Sequence, residues 1–304
     1  MSETREILDR MNSIRETKKV TNAMYLISSS KIRKAKDSMH KVQLYYDAIY
    51  STIGDILATS PSLEHRYLES LSDSDTCECE GFDRKKHKRR AYLVITADKG
   101  LAGAYNLNVI KKVEAELKEY PDAELFVMGQ VGLHHFARTK AFVNEEFKYS
   151  TQNPNLQRAR NITSDLLDEY NHGDVGEIYV IYTQMKNSLE SEAVKMKVLP
   201  LSREAFDKKN DGVYREKAFF PNEASVFTLV APLTMQGVIF TALTESYCAE
   251  LNDRMSAMNS ATENADKMLQ TLELDYNRKR QGSITQEITE IIAGTTALRN
   301  KNRM

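Results

Sequence analysis

ELNDRMSAMNSATENADKMLQTLELDYNRKRQ (250–281) decides the fold. Leu251, Met255, Met258, Thr262, Ala265, Leu269, Leu272 and Tyr276 recur at alternating spacings of three and four, the mark of a helix that keeps one face against a partner helix. The small residues Ala257, Ala261 and Ala265 let a partner backbone come close. No glycine or proline interrupts 238–281, and none interrupts residues 1–53 at the other end of the chain. Both segments join the same middle region, one entering and one leaving, so a pair formed between them runs antiparallel. The expected architecture is α/β: a long antiparallel coiled coil of N- and C-terminal helices plus a central α/β domain with a largely parallel sheet.

The first helix is less regular. Strict three/four spacing from Ile7 passes through Met11, Ile14, Lys18, Thr21, Tyr25, Ser28, Ile32, Ala35, Met39, Val42, Tyr46, Ile49, Ile53 and Ile56. The stripe is apolar at both ends and polar at Lys18, Thr21 and Ser28. A second apolar row, Val20, Met24 and Ile27, takes over there, which reads either as a helix facing something besides its partner or as a drift in register. Arg15, Lys18, Lys19, Lys31, Arg33, Lys34 and Lys36 form a cationic face, either solvated surface or a site for anionic partners.

Composition narrows the classes. The chain has 304 residues, enough for about two domains. It has 12 Gly, 6 Pro and no Trp, which favours helix over a turn-rich β architecture. A net charge of −1 argues against general binding to nucleic acid or a membrane surface. No uninterrupted run of 18 apolar residues occurs, so no bilayer span is expected. The N-terminus is charged and helical in pattern, unlike a secretory signal. Three cysteines fit a reducing compartment.

Four parts are expected: an N-terminal coiled-coil helix over 1–60, a charged connector over 61–90, a central α/β domain over 91–221, and a C-terminal coiled-coil helix and tip over 222–304. In the connector, acidic residues precede Arg84, Lys85, Lys86, Lys88, Arg89 and Arg90 around His87. Adjacent blocks of opposite charge read as a self-attracting loop rather than a nucleic-acid arm. Cys77, Cys79 and His87 lack the ligand number and spacing of structural zinc, so no metal is expected.

In the middle region, AYLVIT (91–96), ELFVMG (124–129), EIYVIY (177–182) and AVKMKVLPL (193–201) read as strands. Helical stretches over 108–120 and 155–170 alternate with them, the pattern of βαβ units. The loop DKGLAGAYN (98–106) follows the first strand, where nucleotide-binding folds place phosphates. A P-loop needs Lys and Ser or Thr after its last glycine, and a dinucleotide fingerprint needs three glycines. Here Ala104 and Tyr105 follow Gly103, so both glycines are read as turn positions. His134 and His135 are adjacent and do not resemble a metal pair. No catalytic residue and no cofactor are expected.

Beyond Gly282 the spacing resumes at Ile284, Ile288, Ile291, Thr295 and Leu298. At 1.5 Å per residue the first helix reaches roughly 80 Å and 222–298 roughly 115 Å, an overhang on the order of 35 Å. Four large aliphatics on a lone helix need a socket from other subunits, a dimer partner, or a fold back onto the domain.

ITQEITEII (284–292), preceded by YNRKRQ (276–281), resembles the C-terminal signature of the γ subunits of F-type ATP synthases. ELNDRMSAMNSATENA (250–265), KKVTNAMYLISSSKIRKA (18–35) and DKGLAGAYN (98–106) resemble other parts of that family, in order along essentially the whole chain. The resemblance implies the central rotor shaft (central stalk) of a proton- or sodium-translocating F-type ATP synthase, coupling rotation of the c-subunit ring to the catalytic β subunits. It implies α and β subunits, an ε subunit and the c ring as partners. It also implies peripheral attachment to a bacterial plasma membrane, on its cytoplasmic face. It places Lys18, Met24, Arg254, Arg278, Arg280, Gln281, Thr285, Glu287 and Glu290 among rotor–stator contacts. Ile284, Ile288, Ile291 and Leu298 would face a hydrophobic collar. Asn22, the serines 28–30, Ala102 and the extension RNKNRM (299–304) depart from the usual family pattern. Two other readings stand beside the rotor: a coiled-coil scaffold or adaptor with a non-catalytic α/β domain, and an α/β enzyme with helical dimerisation arms.

Overall fold

A computed structural model describes residues 2–69, 89–172, 175–187, 190–207 and 218–301. The connector residues Cys77, Cys79 and His87 lie outside the described residues, as does the Leu298 side chain. The elements in chain order are α1 (Ser2–Thr59), β1 (Arg89–Ile95), α2 (Tyr105–Glu119), β2 (Glu124–Met128), α3 (Gln130–Phe136), β3 (Phe142–Val143), α4 (Leu156–His172), β4 (Val175–Met185), β5 (Ser191–Leu199), α5 (Glu204–Asp207) and α6 (Glu223–Lys301). The chain divides into two compact units, Met1–Ile27 with Met255–Met304, and Ser28–Arg254.

The larger unit is built on a five-stranded sheet of order β3-β2-β1-β4-β5. β3, β2, β1 and β4 are parallel, and β5 closes one edge antiparallel to β4. Sequence patterning shows the parallel strands but not the reversal at β5, because apolar strand residues read alike in either direction. The two-residue β3 and the short α3 and α5 carry too few residues to set a period. Side chains alternate across the sheet. Leu93 and Ile95 join Phe126, Met128 and Val180 in one core, with α4 (Ile162, Leu166), α1 (Tyr46, Ile49, Ile53, Ile56) and α6 (Phe227, Met235, Ile239). Tyr92 and Val94 join Leu125, Val127 and Ile181 in a second core, with α2 (Val109, Val113) and Phe136 of α3. Helices therefore cover both faces, as in a doubly wound fold.

Local chemistry sets the ends of the long helices. Ser60-Pro61 closes α1, since proline cannot continue the ladder. Asn222 caps α6: its Oδ1 accepts from the Ser225 N–H at 2.8 Å, satisfying one of the unpaired donors of the first turn. Pro232 lies inside α6. Part of α6 is apolar enough over an 18-residue window (mean hydropathy 1.8) to match a membrane span by length and composition, and half that window is buried inside the protein. Counting uninterrupted apolar residues misses it. Its buried side chains, Phe227, Ala231, Met235 and Ile239, belong to the first core, so this stretch is a core helix of the sheet domain.

Candidate functional site: a plugged crevice and an unpartnered helix end

Doubly wound sheets bind ligands outside the carboxyl ends of their strands, where strand order reverses. Here that point lies between β1 and β4, and α6 fills it. Ala97, Ala102 and Tyr105 from the post-β1 loop pack with Ala249 of α6 and Met185 of β4. The Tyr105 hydroxyl, fully buried, pairs with Ser246 Oγ at 2.7 Å. Ser191 Oγ at the start of β5 donates to Asp253 Oδ2 at 3.0 Å. Arg254 Nη2 donates to the carbonyls of Lys99 at 3.2 Å and Gly100 at 3.1 Å. Its Nη1 meets Glu250 Oε1 at 2.5 Å, one turn back along α6, with both side chains no more than 10% exposed.

Burial is costly for these acids. It raises the Glu250 pKa above the ordinary carboxylate value, and the Arg254 charge pulls the other way. The Asp253 carboxyl is likewise raised by burial, against the pull of its Ser191 hydrogen bond. Glu250 Oε2 is buried without a hydrogen-bond partner, so Arg254 supplies the charge that makes the carboxylate tolerable.

The loop is shaped for this grip. Gly103 adopts φ +55°, where glycine is unstrained, and stands beside the Asp253 carbonyl. Gly100 differs from the expectation of a turn requirement: its φ is ordinary and a Cβ there would meet nothing. The positive φ falls instead on Leu101 at 66°. The tightest backbone approach is at the neighbouring strand end, where a Cβ on Gly129 would lie 2.3 Å from the Thr96 carbonyl oxygen.

In the smaller unit the two helices pair antiparallel. Thr21 Oγ1 meets Thr262 Oγ1 at 2.8 Å, Lys18 Nζ donates to Asp266 Oδ1 at 2.5 Å, and Arg15 Nη2 to Glu273 Oε1 at 3.3 Å. The seam of α1 does not change register: Met11 and Thr21 are buried while Val20, Leu26 and Ile27 are exposed. The second apolar row therefore does not take over the pairing. A hydroxyl pair and a half-exposed ion pair share the inner positions with Met11, Met258 and Ala265, while the branched aliphatics Val20, Leu26 and Ile27 point outward.

The register fixes what remains. With Thr21 opposite Thr262 and Arg15 opposite Glu273, Ser2 falls level with about residues 281–286 of α6, which continues to Lys301. Roughly 25 Å of α6 thus runs past the start of α1, shorter than lengths alone suggest because the pairing sets the helices' stagger. Ile284, Ile288, Ile291 and Ile292 on this stretch are 45%, 52%, 66% and 58% exposed. A helix end that exposes such side chains is unstable and adhesive in water.

A family model described as ATP synthase matches residues 3–298. The ATP synthase gamma chain of Acetivibrio thermocellus is 40% identical over 309 residues, covering 98% of this chain and all of that protein. The chain belongs to the ATP synthase gamma chain family. The gamma chain of Ruminiclostridium cellulolyticum is 40% identical over 299 residues, covering 97% of this chain and 98% of its own length. A subunit of the Euglena gracilis mitochondrial ATP synthase, solved as OSCP/F1/c-ring, superposes with a TM-score of 0.64 at 15% identity. It covers 100% of this chain and 97% of that one, a likeness of fold.

The residues that the gamma-chain resemblance singles out fall into four settings. Lys18 lies in the seam, paired with Asp266. Met24 is half-buried on α1. Arg278, Arg280, Gln281, Thr285, Glu287 and Glu290 are all exposed on α6, with Ile284, Ile288 and Ile291 among them. Thr285 Oγ1 donates to the Gln281 carbonyl and Glu290 accepts from Gln286 at 3.0 Å, local bonds along one helix. The Arg254 guanidinium is engaged inside the chain by Glu250 and the loop carbonyls. Sequence reasoning missed Glu250 as its partner, and Ser246 and Asp253 as the α6 residues that hold Tyr105 and Ser191. The four-residue spacing of Glu250 and Arg254 was the available signal, but their loop partners are backbone carbonyls, which carry no sequence mark.

Proposed function

We infer that this chain is the central-stalk rotor of an F-type ATP synthase, turning with a ring of c subunits driven by protons or sodium ions. It couples that rotation to the conformational cycle of catalytic β subunits alternating with α subunits. The observation that carries the reading is the end of α6, a family-matched helix on which Ile284, Ile288 and Ile291 are exposed. A hydrophobic collar of α and β subunits covers Ile284, Ile288, Ile291 and Leu298. Arg278, Arg280, Gln281, Thr285, Glu287 and Glu290 meet stator loops beneath it, the arginines through charge-assisted bonds to acidic β residues. Met24, with the outward row Val20, Leu26 and Ile27, faces the stator from α1. Lys18 contributes near it, and Arg254 acts as a positioning residue that fixes α6 in the domain.

The division into an N-terminal helix (1–60), connector (61–90), α/β domain (91–221) and C-terminal helix with tip (222–304) follows the same logic. The domain meets ε and the c ring, which puts the chain at a membrane as a peripheral subunit, on the cytoplasmic face of a bacterial plasma membrane. Purification through a tag on this chain, with subunits identified by mass, tests the reading. Recovery of α, β, ε and c subunits is expected. A well-behaved elongated dimer free of ATPase subunits would favour the scaffold alternative instead.

A further inference from the structure

We propose that a cavity of about 300 Å³ between α1, α6 and the β4–β5 edge of the sheet is a binding site for a small amphipathic amine, an aryl-alkyl ammonium ion. The site lies wholly inside the larger unit and does not rest on the rotor reading.

Its size is at the small end of ligand pockets. One wall is apolar, with Met39, Val42, Met196 and Phe240, and Tyr46, Tyr50 and Tyr182 add aromatic faces. Asp47 and Glu245 bring two carboxylates, and no lysine or arginine lines the space. Glu245 accepts from the Tyr182 hydroxyl at 3.1 Å, a neutral donor that orients the carboxylate without neutralising it. The cavity therefore presents a partly desolvated negative charge beside aromatic rings, which an ammonium group satisfies by an ion pair and by cation–π attraction.

A second observation points inward. Tyr46 is 8% exposed, lines the cavity, and its buried hydroxyl has no hydrogen-bond partner. The Gln236 side chain lies beside it. A buried hydroxyl left unpaired is costly, and a ligand N–H satisfies it. The ring is held in place by Gly237: a Cβ at that position would lie 2.4 Å from the Tyr46 ring, so the site depends on this bare stretch of α6. A divalent metal ion is a poorer occupant, because such ions want six or more oxygens and a hydrated shell, and this wall is half hydrocarbon.

Saturation-transfer NMR with phenethylamine as probe, on the assembled complex, tests the site. Saturable binding in the millimolar range is expected. It weakens by roughly tenfold in Glu245→Gln, which removes the charge-assisted bond, and is lost in Val238→Trp, which fills the space. 2-Phenylethanol, the neutral isostere, binds by roughly tenfold less for the same reason. If Val238→Trp melts below the wild type, Thr241→Phe fills the same cavity from the next turn. Equal binding of amine and alcohol, unchanged binding in the cavity-filling variants, or no saturable signal in the millimolar range each overturns the proposal.

Discussion

The same two helices pair in both compact units, and they do so by opposite chemistry. In the larger unit α1 presents Tyr46, Ile49, Ile53 and Ile56, all buried, to a continuous core that includes Phe227, Met235 and Ile239 of α6. In the smaller unit Lys18, Thr21, Thr262 and Asp266 share the seam with Met11, Met258 and Ala265, and the large aliphatics Val20, Leu26 and Ile27 face solvent. The difference teaches what each region is for. A hydrophobic seam that runs into the sheet core resists slip. A polar seam with apolar residues turned outward gives up self-association for contact with neighbours.

The largest break in that contrast is expected at Arg254. Arg254→Met leaves Glu250 buried without its counter-charge, and losing one partner of such a pair costs about 3–5 kcal/mol. Thermal melting followed by the tyrosine near-ultraviolet signal checks it. A drop well under 1 kcal/mol would mean that α6 is held in the crevice by packing alone.

A smaller effect, with a defined pH dependence, is expected at Glu245. Burial raises its pKa above the ordinary 4.5. The folded state then holds the proton more tightly than the unfolded chain, so stability falls as pH rises from 4.5 through the folded value. Glu245→Gln removes that loss, so the variant melts higher than the wild type at about pH 8 and the two converge below about pH 4. Melting curves that stay parallel across this range would contradict the assignment of burial as the cause.

The smallest effect is expected in the polar seam. Replacing both Thr21 and Thr262 by Val keeps shape while removing a hydroxyl pair, a change worth under about 1 kcal/mol in either sign. Urea unfolding of the double variant measures it. A loss as large as that at Arg254 would show that the smaller unit is held as firmly as the larger one.

Much of this was legible in the residues. The three/four spacing from Ile7 to Ile56 marks the true seam through its polar stretch, where Thr21 and Ser28 are buried as the strict count requires. Apolarity was the misleading guide: Val20 and Ile27 suggested a second seam because hydrophobic residues usually turn inward. The β1 loop showed by its missing lysine that it is no phosphate cradle, but not that α6 occupies the crevice. That depends on Tyr105 meeting Ser246 and on Arg254 meeting carbonyls more than 150 positions away, contacts that no local pattern encodes. Overhang was readable in direction from helix length, and its extent only from the Thr21–Thr262 stagger.

The most direct test of the central claim is ATP-driven rotation of the assembled complex carrying this chain truncated before Ile284. The account predicts weakened rotation or coupling, with unchanged melting of the sheet domain, because the removed residues belong to the smaller compact unit. Full coupling in the truncated complex, or loss of the domain's own melting transition, would contradict it.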